Sequence, residues 1–110
     1  MNILELLEQI GSKEYGVLFS SKSSGCFAKF ECDKIRVESI GDMHLIKILH
    51  TNNNSECPVY TKVVDNIPKL YCKQYCDVVE RYYYYFNVGD LNIKISSLID
   101  AKVYPKGYNK

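Results

Sequence analysis

The sequence predicts a single α+β domain, with a short N-terminal helix packed on an antiparallel sheet. Three observations support this class. The chain has 110 residues, a common length for one domain. Its residues are 46% hydrophobic, which is enough for a core. The spacing of its apolar residues changes from a helical to a strand period after the first ten residues. We therefore expect one domain over residues 1–110, with 102–110 as a loose tail.

The first ten residues predict a helix. Apolar side chains recur there at the i, i+3, i+4, i+7 spacing that lines one helical face: Ile3, Leu6, Leu7 and Ile10. Asn2 is a suitable N-cap, and Gly11 follows the last apolar residue, where a C-cap glycine belongs.

A period of two follows, which indicates half-buried strands. Turn residues separate the alternating segments, for example Gly41-Asp42. Three or four antiparallel strands packed against the helix would account for the first half of the chain. The predicted strands up to residue 64 are Tyr15–Phe19, Cys26–Asp33, Ile35–Glu38, His44–Leu49 and Pro58–Val64.

The second half fits two patterns. Pro68 is favoured at the first position of a helix, and a helical stripe follows it, formed by Tyr71, Tyr75, Val78, Val79, Tyr82 and Phe86. Gly89-Asp90, however, is a turn signal before the alternating segment Leu91–Ser96, and a strand there needs Arg81–Val88 as its neighbour. We predict a second helix over about 68–80 and then a C-terminal hairpin. A continuous helix to Phe86 is the alternative.

Composition excludes several classes of protein. No apolar run approaches the length of a membrane helix. Glu5 and Glu8 stand where a secretory signal would carry basic residues. The net charge is only +1, whereas proteins that bind double-stranded nucleic acid are usually strongly basic. The five cysteines are an odd number, and nothing points to an oxidising compartment, so we expect free thiols in the cytoplasm.

Metal binding is the first chemistry that the cysteines suggest. Cys72 and Cys76 would share one face of the predicted helix, and Cys57 with a histidine could complete a zinc site. No CxxC or His-x-x-x-His spacing supports it. His44 and His50 would lie about 20 Å apart on one strand. We therefore expect no metal and no cofactor.

Nucleophilic catalysis has one candidate pair. Cys57 and His50 flank a polar loop, and a hairpin could bring them together. The chain has no nucleophile elbow, phosphate-binding loop or paired carboxylates. We expect a protein that is not an enzyme, and keep a small Cys/His enzyme as a lesser alternative.

The chain has ten tyrosines, and this high tyrosine content is the most informative feature of its composition. On a strand, Tyr82 and Tyr84 would face one side, and Tyr83 and Tyr85 the other. Exposed tyrosine is enriched at protein interfaces and can also stack on unpaired bases. Two more tyrosines alternate with lysines in the tail. The candidate partner-binding residues are Tyr82, Tyr83, Tyr84, Tyr85, Tyr104 and Tyr108.

The opening of the chain resembles the small phage anti-CRISPR proteins of the Listeria prophage nuclease-inhibitor type. The resemblance covers about residues 1–20 and implies a helix that leads into an antiparallel sheet. That family presents an acidic surface that mimics DNA, whereas this chain has a net charge of +1, so no functional residue is carried over. The matching residues are Met1, Asn2, Ile3, Leu6, Ile10, Lys13, Tyr15, Val17 and Ser20.

These observations predict a small intracellular protein that blocks a larger enzyme by surface contact. Phage anti-defence and toxin-immunity proteins are the two types in this class. We expect a protein partner and no membrane, with nucleic acid contacted weakly or through the partner. A single-stranded nucleic-acid-binding protein is the alternative. The sequence gives no oligomeric state.

Overall fold

A computed structural model describes residues 1–21 and 32–102. Within these ranges the chain forms one short helix and seven strands, and every strand pairing is antiparallel. The elements are α1 (Ile3–Ile10), β1 (Tyr15–Ser21), β2 (Lys34–Ile40), β3 (Met43–Asn52), β4 (Ser55–Val64), β5 (Lys69–Cys76), β6 (Arg81–Val88) and β7 (Leu91–Ser97).

The strands form two sheets. One has four strands in the order β1-β7-β6-β5, and the other has three in the order β2-β3-β4. β1 therefore does not pair with the strands that follow it in sequence. It pairs with β7, near the other end of the described chain. An antiparallel bridge joins Val17 on β1 of the first sheet to Cys32, which lies just before β2 of the second. Its two N–O distances are 2.7 and 2.9 Å.

Both sheets and the helix share one hydrophobic core. The rings of Phe19 on β1 and Tyr60 on β4 lie 5.0 Å apart, and Lys62 Nζ is 2.9 Å from Asp90 Oδ1, so contacts cross between the sheets. This shared core confirms the α+β class in its broad form, although strands dominate. The core residues with the largest side chains are Ile3, Leu6, Ile10, Phe19, Ile35, Ile46, Ile48, Tyr84, Phe86, Leu91, Ile93 and Ile95.

The predicted N-terminal helix is confirmed. Asn2 caps it through a reciprocal pair of hydrogen bonds: Glu5 N–H donates to Asn2 Oδ1 (3.0 Å), and Asn2 N–H donates to Glu5 Oε1 (2.9 Å). Gly11 ends the helix with a φ of 63°, a conformation that glycine adopts without strain. Ile3 N–H donates to Pro68 O at 3.0 Å, which ties the start of the helix to the chain entering β5.

The predicted second helix over 68–80 is wrong, and so is the alternative helix to Phe86. Residues Lys69–Cys76 form strand β5, and a turn over 77–80 leads to β6. The members of the predicted apolar stripe do not form one buried face, since Tyr71, Tyr75 and Val78 are 62%, 53% and 86% exposed. As a strand, the segment instead bonds its backbone to β6 and pairs its tyrosines with the rings of that strand.

The predicted C-terminal hairpin is confirmed. β6 and β7 pair from Val88 and Leu91 outward, across the turn at Gly89-Asp90. Gly89 has a φ of 59°, the sign that a type II′ hairpin turn requires at its first central residue. Of the strand predicted over Cys26–Asp33, residues 26–31 lie outside the described residues. The strands predicted around Tyr15, Ile35, His44 and Pro58 are all present as β1 to β4.

Tyr84 joins the hairpin to the segment that follows β7. Its ring is fully buried, its hydroxyl donates to Ile99 O at 2.6 Å, and it accepts from Ala101 N–H at 2.7 Å. Burial raises the pKa of this hydroxyl above its usual value, although the hydrogen bond from Ala101 acts in the opposite direction. One side chain therefore fixes the end of the described chain against the core.

Replacing Tyr84 with Phe should lower the free energy of unfolding by about 1–3 kcal/mol, because a buried N–H and a C=O lose their partner. The ring itself stays in place, so the fold should be unchanged by circular dichroism. Urea denaturation of the variant and the wild type measures the difference. Equal midpoints and slopes would show that the hydroxyl does not hold the segment.

Candidate functional site

The four-stranded sheet has one side in the core and one side turned outward. β6 shows the division: Tyr84 and Phe86 are fully buried, whereas Tyr83 and Tyr85 alternate with them and are only half-buried. The predicted split of the four consecutive tyrosines between two sides of a strand is therefore confirmed. Tyr83 and Tyr85 lie on the outward side, whereas on the core side Tyr84 is buried and Tyr82 is half-buried.

The strand register brings the outward side chains into rows across the sheet. One row crosses the four strands through Leu18, Lys94, Tyr85 and Cys72. The next row runs through Gly16, Ser96, Tyr83 and Gln74. We call this surface the tyrosine face and define it by its larger side chains: Leu18, Tyr71, Tyr83, Tyr85, Asn87, Asn92 and Lys94.

Aromatic contacts organise the tyrosine face. The rings of Tyr71 and Tyr85 lie 6.1 Å apart, and the Tyr85 hydroxyl donates to Gln74 Oε1 at 3.0 Å. Lys94 Nζ lies 4.8 Å from the centre of the Tyr83 ring, within the range of a cation–π interaction. Burial raises the pKa of the Tyr85 hydroxyl. The side chains thus hold one another in place before any partner arrives.

A cavity of about 280 Å³ lies on this face. Tyr71 and Tyr85 line it together with Leu18, and the amides of Asn87 and Asn92 stand directly opposite each other on β6 and β7. Lys94 also lines it. Aromatic walls with two amides and an ammonium group suit a flat, partly polar group such as a side chain or a base.

The tyrosine face carries cations and no carboxylates among the outward positions of its four strands. Lys69, Arg81 and Lys94 point outward there. The Arg81 guanidinium is held by Ser96, with Nε donating to Oγ at 2.5 Å and Nη2 to the carbonyl oxygen at 3.0 Å. Glu14 and Asp33 line a second cavity with Arg81, Tyr83 and Lys94, whereas the cavity between Tyr71, Tyr85 and Lys94 has no carboxylate among its lining residues. The face therefore favours an acidic partner.

The other candidate residues lie elsewhere. Tyr82 is half-buried on the core side, where its ring packs 4.7 Å from Tyr75. Tyr84 is buried, so it has no surface to offer in the folded protein. Tyr104 and Tyr108 lie outside the described residues.

The sulfur and imidazole candidates do not assemble into a site. His50 and Cys57 are directly opposite on β3 and β4, as a hairpin allows, yet no hydrogen bond joins them. The nearest polar contact of the Cys57 thiol is Ser55 O at 4.0 Å. Cys72 and Cys76 belong to the other sheet. Among the residues that the structure describes, no group of three His, Cys, Asp or Glu side chains could hold a metal ion.

Five members of the tyrosine face were not identified from the sequence: Leu18, Tyr71, Asn87, Asn92 and Lys94. Tyr71 was assigned to a helix, and Lys94 was read only as the polar side of a strand. A two-residue turn at Gly89-Asp90 implies that residue 94 lies opposite residue 85, and this arithmetic would have placed Lys94 beside the tyrosines. No comparable signal was available for Tyr71, because β5 was not recognised.

Comparisons of the chain with known protein families, with characterised proteins and with solved structures find no match. In the described ranges, no helix is long and apolar enough to cross a membrane. Any function must therefore be argued from the geometry of the tyrosine face.

Truncating Tyr71 to Ala should change the free energy of unfolding by no more than about 0.5 kcal/mol, because its ring is mostly exposed. Truncating Tyr84 to Ala should cost about 3–5 kcal/mol, because it leaves a cavity in the core. Thermal and urea denaturation of both variants provide the comparison. Similar losses at the two positions would show that the tyrosine face is structural and not a surface available to a partner.

Proposed function

We propose that this protein is not an enzyme but a binding protein that acts by surface contact, and that the tyrosine face is its contact surface. The observation that carries the proposal is the group of outward tyrosines on adjacent strands, Tyr71, Tyr83 and Tyr85, beside the ammonium group of Lys94. Tyrosine offers a large contact area with few rotatable bonds and a polar tip, which explains its enrichment at binding hot spots.

The position of these side chains favours tight contact. Tyr83 and Tyr85 lie on β6, which has a paired strand on each side, so their backbone is fixed. A partner therefore gains contact area without ordering a loop, and such ordering is one of the main costs of association. A stable complex of ordinary size buries about 800 Å² on each partner. That is about a ninth of this chain's surface of 7253 Å².

The positive charge of the tyrosine face indicates which kind of partner surface it would bind. Lys69, Arg81 and Lys94 favour an acidic protein surface over the basic nucleic-acid groove of a nuclease. We therefore place the protein among cytoplasmic inhibitors of a larger enzyme, of the anti-defence or toxin-immunity type. It would bind by cationic and aromatic contact and not by mimicry of DNA.

Affinity purification from the native host, followed by mass spectrometry, identifies the partner. Tyr83→Ala or Tyr85→Ala should then weaken binding by about 30-fold or more, equivalent to about 2 kcal/mol. Val63→Ala is the control, since Val63 is 51% exposed but lies on β4 of the other sheet. Cys57→Ala and His50→Ala should retain full inhibition. If Cys57→Ala abolishes inhibition while the folded tyrosine variants remain active, the chain is an enzyme instead.

Single-stranded nucleic acid is the second candidate ligand. It is favoured by the cavity that Tyr71, Tyr85 and Lys94 share, and by the absence of carboxylates at the outward positions of the four strands. A base stacked on an aromatic side chain contributes about 1–3 kcal/mol, and a nearby cation can contact its phosphate.

A salt titration separates the two candidates. Binding of a fluorescein-labelled oligo(dT) or oligo(dA) should weaken steeply and linearly on a log–log plot, because each phosphate contact releases counterions. A tyrosine-centred protein interface should weaken far less. Lys94→Gln should reduce the salt slope for the oligonucleotide if nucleic acid is the ligand. No binding of either oligonucleotide at low salt would eliminate this second candidate.

A further inference from the structure

β5 is an edge strand of the four-stranded sheet, and among the described residues most of its outer edge has no neighbouring strand. The chain's own N-terminus occupies only the start of that edge: Asn2 pairs with Lys69, and Leu70 N–H donates to Met1 O at 2.9 Å. From Tyr71 to Cys76, no strand within the described residues lies alongside it. This short N-terminal pairing shows that the edge accepts an antiparallel neighbour.

The open part of the edge, Tyr71–Cys76, presents no unpaired charge to a neighbouring strand, because the ammonium group of Lys73 is already paired with Asp100. Natural proteins commonly place charged side chains on such edges to prevent pairing. The only charged residue of the open segment, Lys73, turns inward and bonds to Asp100 and to Ala101 O. Exposed apolar side chains are concentrated here as well, on β5 and on the turn that follows it: Tyr71, Tyr75, Val78 and Val79.

We propose that β5 pairs antiparallel with β5 of a second copy, about a two-fold axis at Gln74, which joins two four-stranded sheets into one of eight strands. Opposite residues of an antiparallel pair point to the same side of the sheet. A two-fold axis at Gln74 satisfies this rule. It sets Lys73 of one copy against Tyr75 of the other, and both are on the core side. It also sets Cys72 against Cys76, and both are outward.

The strand is complementary to itself in charge and in apolar surface. Lys69 begins β5, and Asp77 follows its last residue. Antiparallel pairing brings Asp77 of each copy opposite Tyr71 and within two residues of Lys69 of the other. The exposed Val78 and Val79 of one copy then lie beside Tyr71 and Met1 of its mate. An isologous contact of this kind closes as a dimer and leaves no further edge of β5 open.

This pairing goes beyond the proposed function, and of the tyrosine face it contacts only Tyr71. It uses the backbone edge of β5 and leaves the outward side of β6 and β7 uncovered. In the dimer, the two tyrosine faces lie on one continuous sheet, so one partner molecule could contact both.

Sedimentation or light scattering of the full chain over a concentration series tests the dimer. The wild type should approach twice the chain mass. Tyr75→Lys should remain a folded monomer at the same concentrations, because it places a second ammonium group opposite Lys73. Val63→Lys is the matched control, which adds the same charge on the other sheet and should still dimerise. A wild type with the mass of one chain at every concentration would overturn the proposal.

Disulfide trapping tests the register and does not depend on Tyr75. In a Cys26→Ser, Cys57→Ser background, copper phenanthroline should remove two electrons and two protons from each facing pair of thiols and give a covalent dimer. Opposite side chains on paired strands come close enough for a disulfide. Since each bond joins one Cys72 to one Cys76, either Cys72→Ser or Cys76→Ser alone should abolish the product.

The remaining outcomes are equally informative. A dimer that persists in Tyr75→Lys, or that still crosslinks through a single remaining cysteine of the pair, uses another register or surface and contradicts the proposal. A monomer whose β5 amides become protected from hydrogen exchange only with a foreign partner would show that this edge receives that partner's strand instead.

Discussion

The turn at Gly89-Asp90 sets the constraint on which the rest of the structure depends. A two-residue turn fixes the register of β6 and β7, and a shift by one residue would move every side chain to the other side of the sheet. With the observed register, Phe86 faces Ile93 in the core and Tyr85 faces Lys94 outside. The core and the tyrosine face are therefore two consequences of one turn. Neither can change without the other.

Local signals determine the parts of the fold that sequence analysis predicted. The helix α1 follows from its apolar spacing and its cap at Asn2, and the hairpin follows from the turn and the strict alternation of Leu91, Ile93 and Ile95. The pairing of β1 with β7 joins residues seventy or more positions apart, and no local pattern encodes it. The same limit applies to the packing of the two sheets on one core.

β5 shows why periodicity alone failed in the second half. Tyr71 and Tyr75 are four residues apart, a spacing that lines one face of a helix and equally one side of a regular strand. The strand is not regular, because its register shifts between Leu70 and Cys72. As a result, Tyr71 meets Tyr85 on the outward side and Tyr75 meets Tyr82 on the core side. Only the pairing with β6 decides between helix and strand.

The candidate site was predictable to the same extent as the hairpin. Alternation alone divided the four tyrosines between two sides, but it did not say which side faces the core, since both pairs consist of the same residue type. Tyr84 is buried because the residues paired with Tyr84 and Phe86 on β7, Ile95 and Ile93, share the core. Tyr83 and Tyr85 instead meet Ser96 and Lys94, whose polar groups favour the solvent side.

Stability and binding consequently reside on opposite sides of the same strand. A side chain on the core side of β6 packs in the core that both sheets share, so its loss leaves a cavity. A side chain on the outward side is covered mainly by its neighbours within the sheet and by solvent. Its contact area becomes available to a partner at little cost to the fold. A rigid strand between two paired neighbours thus separates the two roles in a domain too small to devote different elements to each.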